Sequence, residues 1–372
     1  MRNCALQQPD RNKPHKYRRW RLWQVESSLA CNLRCIMCPW KGEREQLGRR
    51  GNMSEAVWQA LVPFLQDVRS VDFTGGGEPL LQKNLLNWII EAKQHGCDTG
   101  FLTNGLLLDA SLTDQLIDNG LNWICISIDG ADKATYESIR QGSDFDKVCG
   151  NIAYLTRRAD NLRPLVMINF VIMNTNFHQL EEMIELACDL GVDQVNFKQC
   201  DVIRGEHGKG HGLFAETRTE AVKQRQHELG KAVRRARKMH IKVRSFSFTP
   251  EEQPVCDQDP RDSLFVGYDG GVFPCINLAI AGPSTFLGEE IHFPRVNYGK
   301  LPEMTLDELW ETENCRFYRQ TFEQRVRIHD QVLGRYDYGH SIAKLNEAFV
   351  AAIKSMPEAP ESCRKCHYLY DV

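Results

Sequence analysis

The sequence lacks any apolar run that could cross a membrane, and it carries no strong charge of either sign. Its 372 residues have a formal net charge of -3, and no stretch approaches about eighteen consecutive apolar residues. The N-terminal residues also lack the apolar core of a secretory signal. These absences predict a cytoplasmic protein with neither a membrane nor a nucleic acid as partner, and the basic run at residues 13–21 is interpreted as a solvated tail.

Internal repeats and low-complexity segments are missing as well. Residues 22–200 instead alternate short β-branched runs with longer segments of helical period, which predicts an α/β fold of strand–helix units around a parallel sheet. The predicted strands are 22–26, 70–73, 100–102, 123–128, 166–173 and 194–197. The predicted helices are 55–68, 83–94, 111–118, 145–158 and 178–190, with Ser54, Asp144 and Asn176 as N-terminal caps.

The chain changes character near residue 240. A long polar helix, predicted over 214–239, and a strand over 241–246 lead into a part with less regular patterning and more Pro, Gly and Cys. We therefore expect an N-terminal tail at 1–19, a core domain at 20–240 and a smaller domain at 241–372.

Cysteine is abundant, and its spacing is the main functional signal. Fourteen cysteines are many for a reducing compartment, where clustered cysteines are better interpreted as metal ligands or catalytic groups than as disulfides. Cys31, Cys35 and Cys38 are close enough in sequence for one loop to wrap an iron–sulfur cluster, and three thiolates leave one iron of a [4Fe-4S] cluster open. A zinc site completed by a distant ligand is the alternative.

The triplet and the stretch GGGEP at 75–79 together resemble the radical S-adenosylmethionine (SAM) superfamily, whose signature is CxxxCxxC followed by a GGEP motif. The resemblance implies a partial (β/α)6 TIM-like barrel with a SAM-binding [4Fe-4S] cluster on the three cysteines. It also implies SAM contacts, directly or by shaping the pocket, from Gly76, Gly77, Glu78, Pro79, Thr103, Asn104, Ser127, Asp129 and Arg140. The alternative for Arg140 is that it is an ordinary charged residue on the surface and contacts no SAM. In this superfamily, SAM is cleaved to a 5'-deoxyadenosyl radical that abstracts hydrogen from a substrate C–H bond.

A second set of cysteines lies beyond residue 240. The stretch 266–275, VGYDGGVFPC, is typical of a hairpin that presents Cys275, and the final C-RK-C places Cys363 and Cys366 two residues apart. The region resembles the SPASM/Twitch extension, which implies an auxiliary [4Fe-4S] cluster on Cys256, Cys275, Cys363 and Cys366. A structural zinc is the alternative, Cys315 is a possible substitute ligand, and the insertions at 279–296 and 319–362 depart from the compact extension.

An auxiliary cluster with four protein ligands can accept an electron from a substrate radical, which favours oxidation. The main prediction is therefore dehydrogenation of a small molecule such as a sugar or aminocyclitol, with flavodoxin or ferredoxin as electron donor. Two other reactions stay open. One is epimerisation with Cys200 as hydrogen donor, for which the alternative is that Cys200 is only a small residue in a loop at the barrel rim. The other is modification of a ribosomally made peptide. Only about thirty residues precede the triplet, which favours the small molecule. A non-enzymatic electron carrier or zinc scaffold would not need the SAM motifs.

Overall fold

The computed structural model describes residues 18–45, 47–158, 163–200, 210–213, 219–335 and 341–372. Its strands are β1 (Trp20–Val25), β2 (Val68–Asp72), β3 (Asp98–Thr103), β4 (Trp123–Ser127), β5 (Leu165–Ile172), β6 (Gln194–Gln199), β7 (Lys242–Arg244), β8 (Ser263–Val266), β9 (Gly271–Phe273), β10 (Gly282–Phe286), β11 (Glu289–Phe293) and β12 (Gly299–Lys300). Its α-helices are α1 (Lys41–Glu45), α2 (Glu55–Leu61), α3 (Leu85–Gln94), α4 (Ala110–Asp118), α5 (Lys133–Ile139), α6 (Phe145–Arg157), α7 (Leu180–Asp189), α8 (Thr219–Lys238), α9 (Leu306–Trp310), α10 (Glu313–Leu333) and α11 (Ile342–Ser355). Across these described ranges, no helix combines the length and the hydropathy needed to pass through a bilayer.

The strands β1 to β7 lie side by side in chain order, and each adjacent pair is parallel. At least one helix connects each strand to the next. This is the arrangement expected of repeated strand–helix units, because a parallel neighbour requires a crossover connection. The predicted α/β fold with a parallel sheet is confirmed, and β7 extends it by one strand.

The inner face of this sheet is only partly filled. In β5 the side chains of Val166, Ile168 and Phe170 are fully buried, whereas Asn169 and Val171 on the opposite face are half-buried. Side chains alternate between the faces of a strand, so the buried set packs under the helices and the other set borders the interior of the barrel. The interior therefore has room for a ligand near the carboxyl ends of the strands.

The C-terminal part joins the same sheet at its other edge. β8 pairs in parallel with β1, and β8 and β9 form an antiparallel hairpin around a turn in which Gly270 has a φ of +88°. The predicted hairpin at 266–275 is thus present, and Cys275 lies two residues beyond its second strand, β9. The two insertions are folded: one contains β10 and β11, and the other contains most of α10 and all of α11. The division into domains near residue 240 stays a prediction.

Three local expectations were wrong. The helix expected over 55–68 ends at Leu61, and a 3-10 helix with Pro63 in its first turn follows. The helix α5 was missed, although Asp132 caps it by accepting a hydrogen bond from the backbone N–H of Thr135. Asn176 caps no helix with its side chain, since that amide donates to the carbonyls of Asp129 and Val171 instead. Ser54 and Asp144 do cap their helices.

Candidate active site

A cavity of about 410 Å³, here called the large cavity, opens at the carboxyl ends of the parallel strands. The cysteine loop after β1, the Gly-rich loop after β2 and the ends of β3 to β6 line one side of it. The C-terminal part supplies the other side through Gln258, Ile276, Asn277, Ile280 and Tyr368. The predicted site residues that line it are Cys31, Cys35, Cys38, Gly76, Gly77, Glu78, Thr103, Asn104, Ser127, Arg140 and Cys200. Pro79 and Asp129 are buried just outside the lining.

The cysteine loop is fixed to the end of α5, and its thiols contact two cations, Arg44 and Arg140. The N–H of Ile36 donates to the carbonyl of Ile139 over 3.0 Å. Arg44 Nη2 lies 3.1 Å from Cys38 Sγ. Burial raises the pKa of the Cys35 thiol to about 12, so that thiol is protonated at neutral pH unless a metal displaces its proton. A cluster bound here would therefore assemble with release of protons.

The Gly-rich loop packs too closely for any side chain. A Cβ on Gly76 would lie 2.1 Å from the Trp40 ring, and one on Gly77 would lie 2.3 Å from the carbonyl oxygen of Ala30. Glu26 fixes the loop by accepting a hydrogen bond from the backbone N–H of Gly76 over 2.7 Å. The glycines thus allow the backbone to form one wall of the cavity beside the cysteine loop.

Glu78 places a carboxylate at this wall, and it is only 2% exposed. Its Oε1 accepts from the Thr103 hydroxyl over 2.6 Å, and its Oε2 accepts from the backbone N–H of Asn104 over 2.8 Å. Burial is the largest effect on this carboxyl and raises its pKa. A cationic ligand would stabilise the charged form, so the ammonium of SAM is a suitable partner.

The ends of β3 and β4 join the two loops. The side-chain amide of Asn104 donates to Asn32 in the cysteine loop over 2.8 Å. Arg140 forms a buried ion pair with Asp129 at 2.7 Å, and its Nη1 lies 3.8 Å from Cys35 Sγ. Arg140 is therefore not a surface charge, and Asp129 acts on the site by holding Arg140 rather than by lining the cavity. The role of Ser127 at the cavity wall stays a prediction.

The four cysteines proposed for the auxiliary cluster come together in the C-terminal part. Cys363 lies within electrostatic range of Cys256, Cys275 and Cys366, and burial raises its pKa well above the ordinary value. Four thiols are the ligand set of the proposed cluster, and a zinc ion would use the same set. Cys315 is fully buried at the start of α10. Tyr298 lies within electrostatic range of Cys315 and of two of these thiols, Cys275 and Cys363.

Two tyrosines border this cysteine group. The Tyr318 hydroxyl hydrogen-bonds with Ser362, next to Cys363. Tyr298 packs edge-on against Tyr318, with ring centroids 6.0 Å apart, and is only 5% exposed. Its hydroxyl has no hydrogen-bond partner among the described residues. A buried donor without an acceptor is costly, so this hydroxyl suits a sulfur acceptor that the thiols would present when a cluster is bound.

Sequence reasoning missed several residues of the cavity. Arg44 bridges the two loops, since it contacts Cys38 and also donates to the Gly76 carbonyl over 2.6 Å. Lys198, Gln258 and Tyr368 also line the cavity, and none of them belongs to the SAM motifs. Only Lys198 carried a usable signal, because a lysine near the end of a barrel strand lies where ligands gather.

The comparisons with known proteins agree with this geometry. The sequence model described as Radical SAM superfamily matches residues 25–187, and the model described as Iron-sulfur cluster-binding domain, SPASM, matches residues 256–331. The chain is a radical SAM enzyme with a C-terminal SPASM domain. The two domain matches confirm the predicted cofactors, SAM and [4Fe-4S] clusters. Which residue contacts which cofactor stays a proposal.

Curated relatives of this radical SAM enzyme differ in what they modify. A tungsten-containing aldehyde ferredoxin oxidoreductase cofactor-modifying protein of Pyrococcus furiosus is 23% identical over 79% of this chain and 82% of its own length. A probable GTP 3',8-cyclase of Sulfurisphaera tokodaii is 34% identical over 46% of this chain and 54% of its own. A PqqA peptide cyclase of Bradyrhizobium diazoefficiens is 28% identical over 46% and 44%. The match to the two cyclases thus spans about half of their length.

Solved structures share the fold. Native anSMEcpe with bound AdoMet and Kp18Cys peptide has a TM-score of 0.64 at 17% identity, covering 94% of this chain and 93% of the other. Streptococcus suis SuiB bound to precursor peptide SuiA has a TM-score of 0.58 at 15% identity, covering 94% and 70%. At these identities the likeness shows the fold alone.

Proposed function

We propose that this radical SAM enzyme oxidises one residue of a peptide. The observation that carries the proposal is a second cavity of about 200 Å³, here called the small cavity, which adjoins the large one. The two cavities share Lys198, Gln199 and Tyr368. The small cavity continues along the end of β7 and past Cys256. An elongated pair of cavities suits an extended chain better than a compact sugar or aminocyclitol.

One relative and two neighbouring structures support a peptide substrate. PqqA peptide cyclase is named for its peptide substrate, and both neighbouring structures contain a bound peptide. The small-molecule dehydrogenation expected from the sequence gains no such support. The shortness of the segment before Cys31 weighed towards a small molecule in the sequence, but the cavities provide a place for a peptide without any contribution from that segment.

The residues of the large cavity fit the two cofactors, since its lining combines three thiols with the backbone of the Gly-rich loop and the carboxylate of Glu78. When bound, SAM and the reduced cluster supply a radical that removes hydrogen from an unactivated C–H bond. The chain holds the ligands in place: Glu78 offers a carboxylate to an ammonium, and Arg140 offers a cation beside Cys35. The apolar side chains of Ile276 and Ile280 on the opposite wall help to exclude water.

A net oxidation follows from the second cysteine group. Loss of hydrogen leaves a substrate radical, and formation of a double bond or cross-link from it releases one electron and one proton. Cys256 lines the small cavity and belongs to the proposed auxiliary cluster, which provides an acceptor for that electron. Flavodoxin or ferredoxin is the proposed donor for the SAM-binding cluster. Epimerisation with Cys200 is the redox-neutral alternative, and the thiol does line the large cavity.

The test is stimulation of 5'-deoxyadenosine formation from SAM by extracts of the organism that makes the protein. The anaerobically reconstituted enzyme is incubated with SAM, a reductant and the extract fraction below about 10 kDa, with Cys35→Ala as the inactive control. We expect stimulation that is lost when the fraction is first digested with protease. Stimulation that survives digestion would refute a peptide substrate and restore the small-molecule prediction.

A further inference from the structure

Lys198 lies at the junction of the two cavities. It is the penultimate residue of β6, on the face of the strand that borders the barrel interior, and it is half-buried. It lines both cavities, as does Tyr368 from the C-terminal part. An atom bound at Lys198 would therefore be close to the SAM-site residues on one side and to the cavity of Cys256 on the other.

The charge of Lys198 is not neutralised within the described part of the chain. Lys198 forms no ion pair there, and its Nζ lies 5.8 Å from the centroid of the Tyr368 ring. A ring face attracts a cation but leaves its charge in place. Arg140, the other cation among the described lining residues of the large cavity, is already paired with Asp129. Lys198 is thus the cation of this cavity that is available to an anion.

The neighbouring groups restrict where such an anion would bind. The small cavity carries the carboxylate of Asp371, which repels an anion, while its other carboxylate, Asp257, is already paired with Arg244. On the large-cavity side, the lining includes the neutral amides of Asn169, Gln258 and Asn277, which can donate hydrogen bonds. An ammonium in a cavity that also offers amide donors is suited to a carboxylate.

We infer that the substrate binds through a carboxylate held by Lys198 on the large-cavity side of the junction. This inference deepens the proposed function, and in a peptide the carboxylate is either an acidic side chain or the C-terminus. Both sources present the same group to the ammonium. The residue that is oxidised would lie beside the carboxylate, towards the cysteine loop.

The experiment measures binding of defined probes to the reconstituted, SAM-loaded enzyme by isothermal titration. The probes are the capped pentapeptides acetyl-GGEGG-amide and acetyl-GGQGG-amide, the free acid acetyl-GGGGG, and N-acetylglutamate. The enzymes are wild type, Lys198→Met, Lys198→Arg and the matched control Arg244→Met. Arg244 lines only the small cavity and is paired with Asp257.

We expect wild type, Lys198→Arg and Arg244→Met to bind a carboxylate peptide at least about tenfold more tightly than acetyl-GGQGG-amide, and Lys198→Met to lose this preference. Preference for acetyl-GGEGG-amide identifies a side chain, and preference for the free acid identifies a C-terminus. Equal binding of charged and neutral peptides, or a preference that survives in Lys198→Met, would overturn the inference. So would weaker SAM binding in Lys198→Met, because the anion would then be SAM itself. Lys198-dependent binding of N-acetylglutamate without peptide binding would keep the carboxylate and remove the peptide.

Discussion

Replacing Glu78 by Gln tests whether its carboxylate binds the ammonium of SAM. The carboxylate is almost fully buried, and it accepts hydrogen bonds from Thr103, Asn104 and the backbone N–H of Leu80. Glutamine has the same shape and keeps an oxygen for one of these donors, while its amide N–H can donate to the Thr103 hydroxyl. The substitution therefore removes the charge and leaves the wall of the cavity in place.

The expected loss follows from the type of interaction. A hydrogen bond between two charged groups contributes about 1.5–3 kcal/mol, and about 1.4 kcal/mol corresponds to a tenfold change in affinity. Loss of the charge at Glu78 should therefore weaken SAM binding about ten- to hundredfold. Burial raises the pKa of Glu78, so the charge is costly to the cofactor-free protein. The backbone N–H of Leu80 loses its acceptor in the variant, which offsets this gain, so the variant should unfold at about the same denaturant concentration as wild type.

The assay is equilibrium binding of SAM to the reconstituted protein, together with urea unfolding of the cluster-free form. The matched control is Thr103→Val, which removes one hydrogen bond to Glu78 but keeps the negative charge. It should weaken SAM binding only about two- to tenfold. If Glu78→Gln binds SAM within twofold of wild type, the carboxylate is not the partner of the ammonium, and the assignment of the motif to that group is wrong.

Three further predictions test the rest of the site. Cys363→Ala should lower the iron content from about eight to about four per chain, whereas unchanged iron with loss of zinc would show a zinc site. Tyr298→Phe should lower the reduction potential of the auxiliary cluster by about 40 mV, the one-electron equivalent of about 1 kcal/mol. Tyr318→Phe should change the potential less, because the Tyr318 hydroxyl already has Ser362 as partner, and equal shifts of the two variants in a redox titration would contradict this prediction. Burial raises the pKa of Glu26 to about 7 from 4.5, so the folded state binds this proton more tightly than the unfolded state. The free energy of unfolding of the cluster-free protein should therefore fall as pH rises from about 4.5 through about 7. Glu26→Gln should reduce this dependence on pH in urea titrations at pH 5 and pH 8.

The fold was largely predictable because its strands obey a simple pattern. Buried β-branched runs such as Val166–Ile172 are separated by segments with helical period, and each strand was found within a few residues of its expected bounds. The failures came from local competition. Pro63 ended a helix that periodicity would have continued, and Asn176 used its side chain for tertiary contacts rather than for capping. The periodicity of hydrophobic residues predicts neither the end of the helix at Pro63 nor the tertiary contacts of Asn176.

The site was predictable on the side where backbone and metal chemistry restrict the residue types. Gly76 and Gly77 have no space for a Cβ, so their identity is visible in the sequence as a motif. Arg44 and Tyr368 were not predictable in the same way. Arg44 contacts Cys38 from a short helix without lining the cavity, and Tyr368 lines the cavity from a distant part of the sequence, so no spacing rule connects either residue to the motifs.

The two sides of the large cavity explain how one reaction can serve different substrates. The side made by the cysteine and Gly-rich loops is tied together by short contacts, such as Glu26 to Gly76 and Asn104 to Asn32, so a change there would disturb radical formation itself. β6 and the C-terminal loops complete the lining, and of these loops Ile276 and Ile280 pack in one cluster with Trp40 of the cysteine loop. Lys198 and Tyr368 belong to neither of the two motif loops, so we expect substitutions there to change what is bound while the SAM site stays intact. Relatives named for a cofactor, a nucleotide or a peptide are consistent with this division, and we propose that substrate choice lies in the C-terminal part and β6 rather than in the radical SAM motifs.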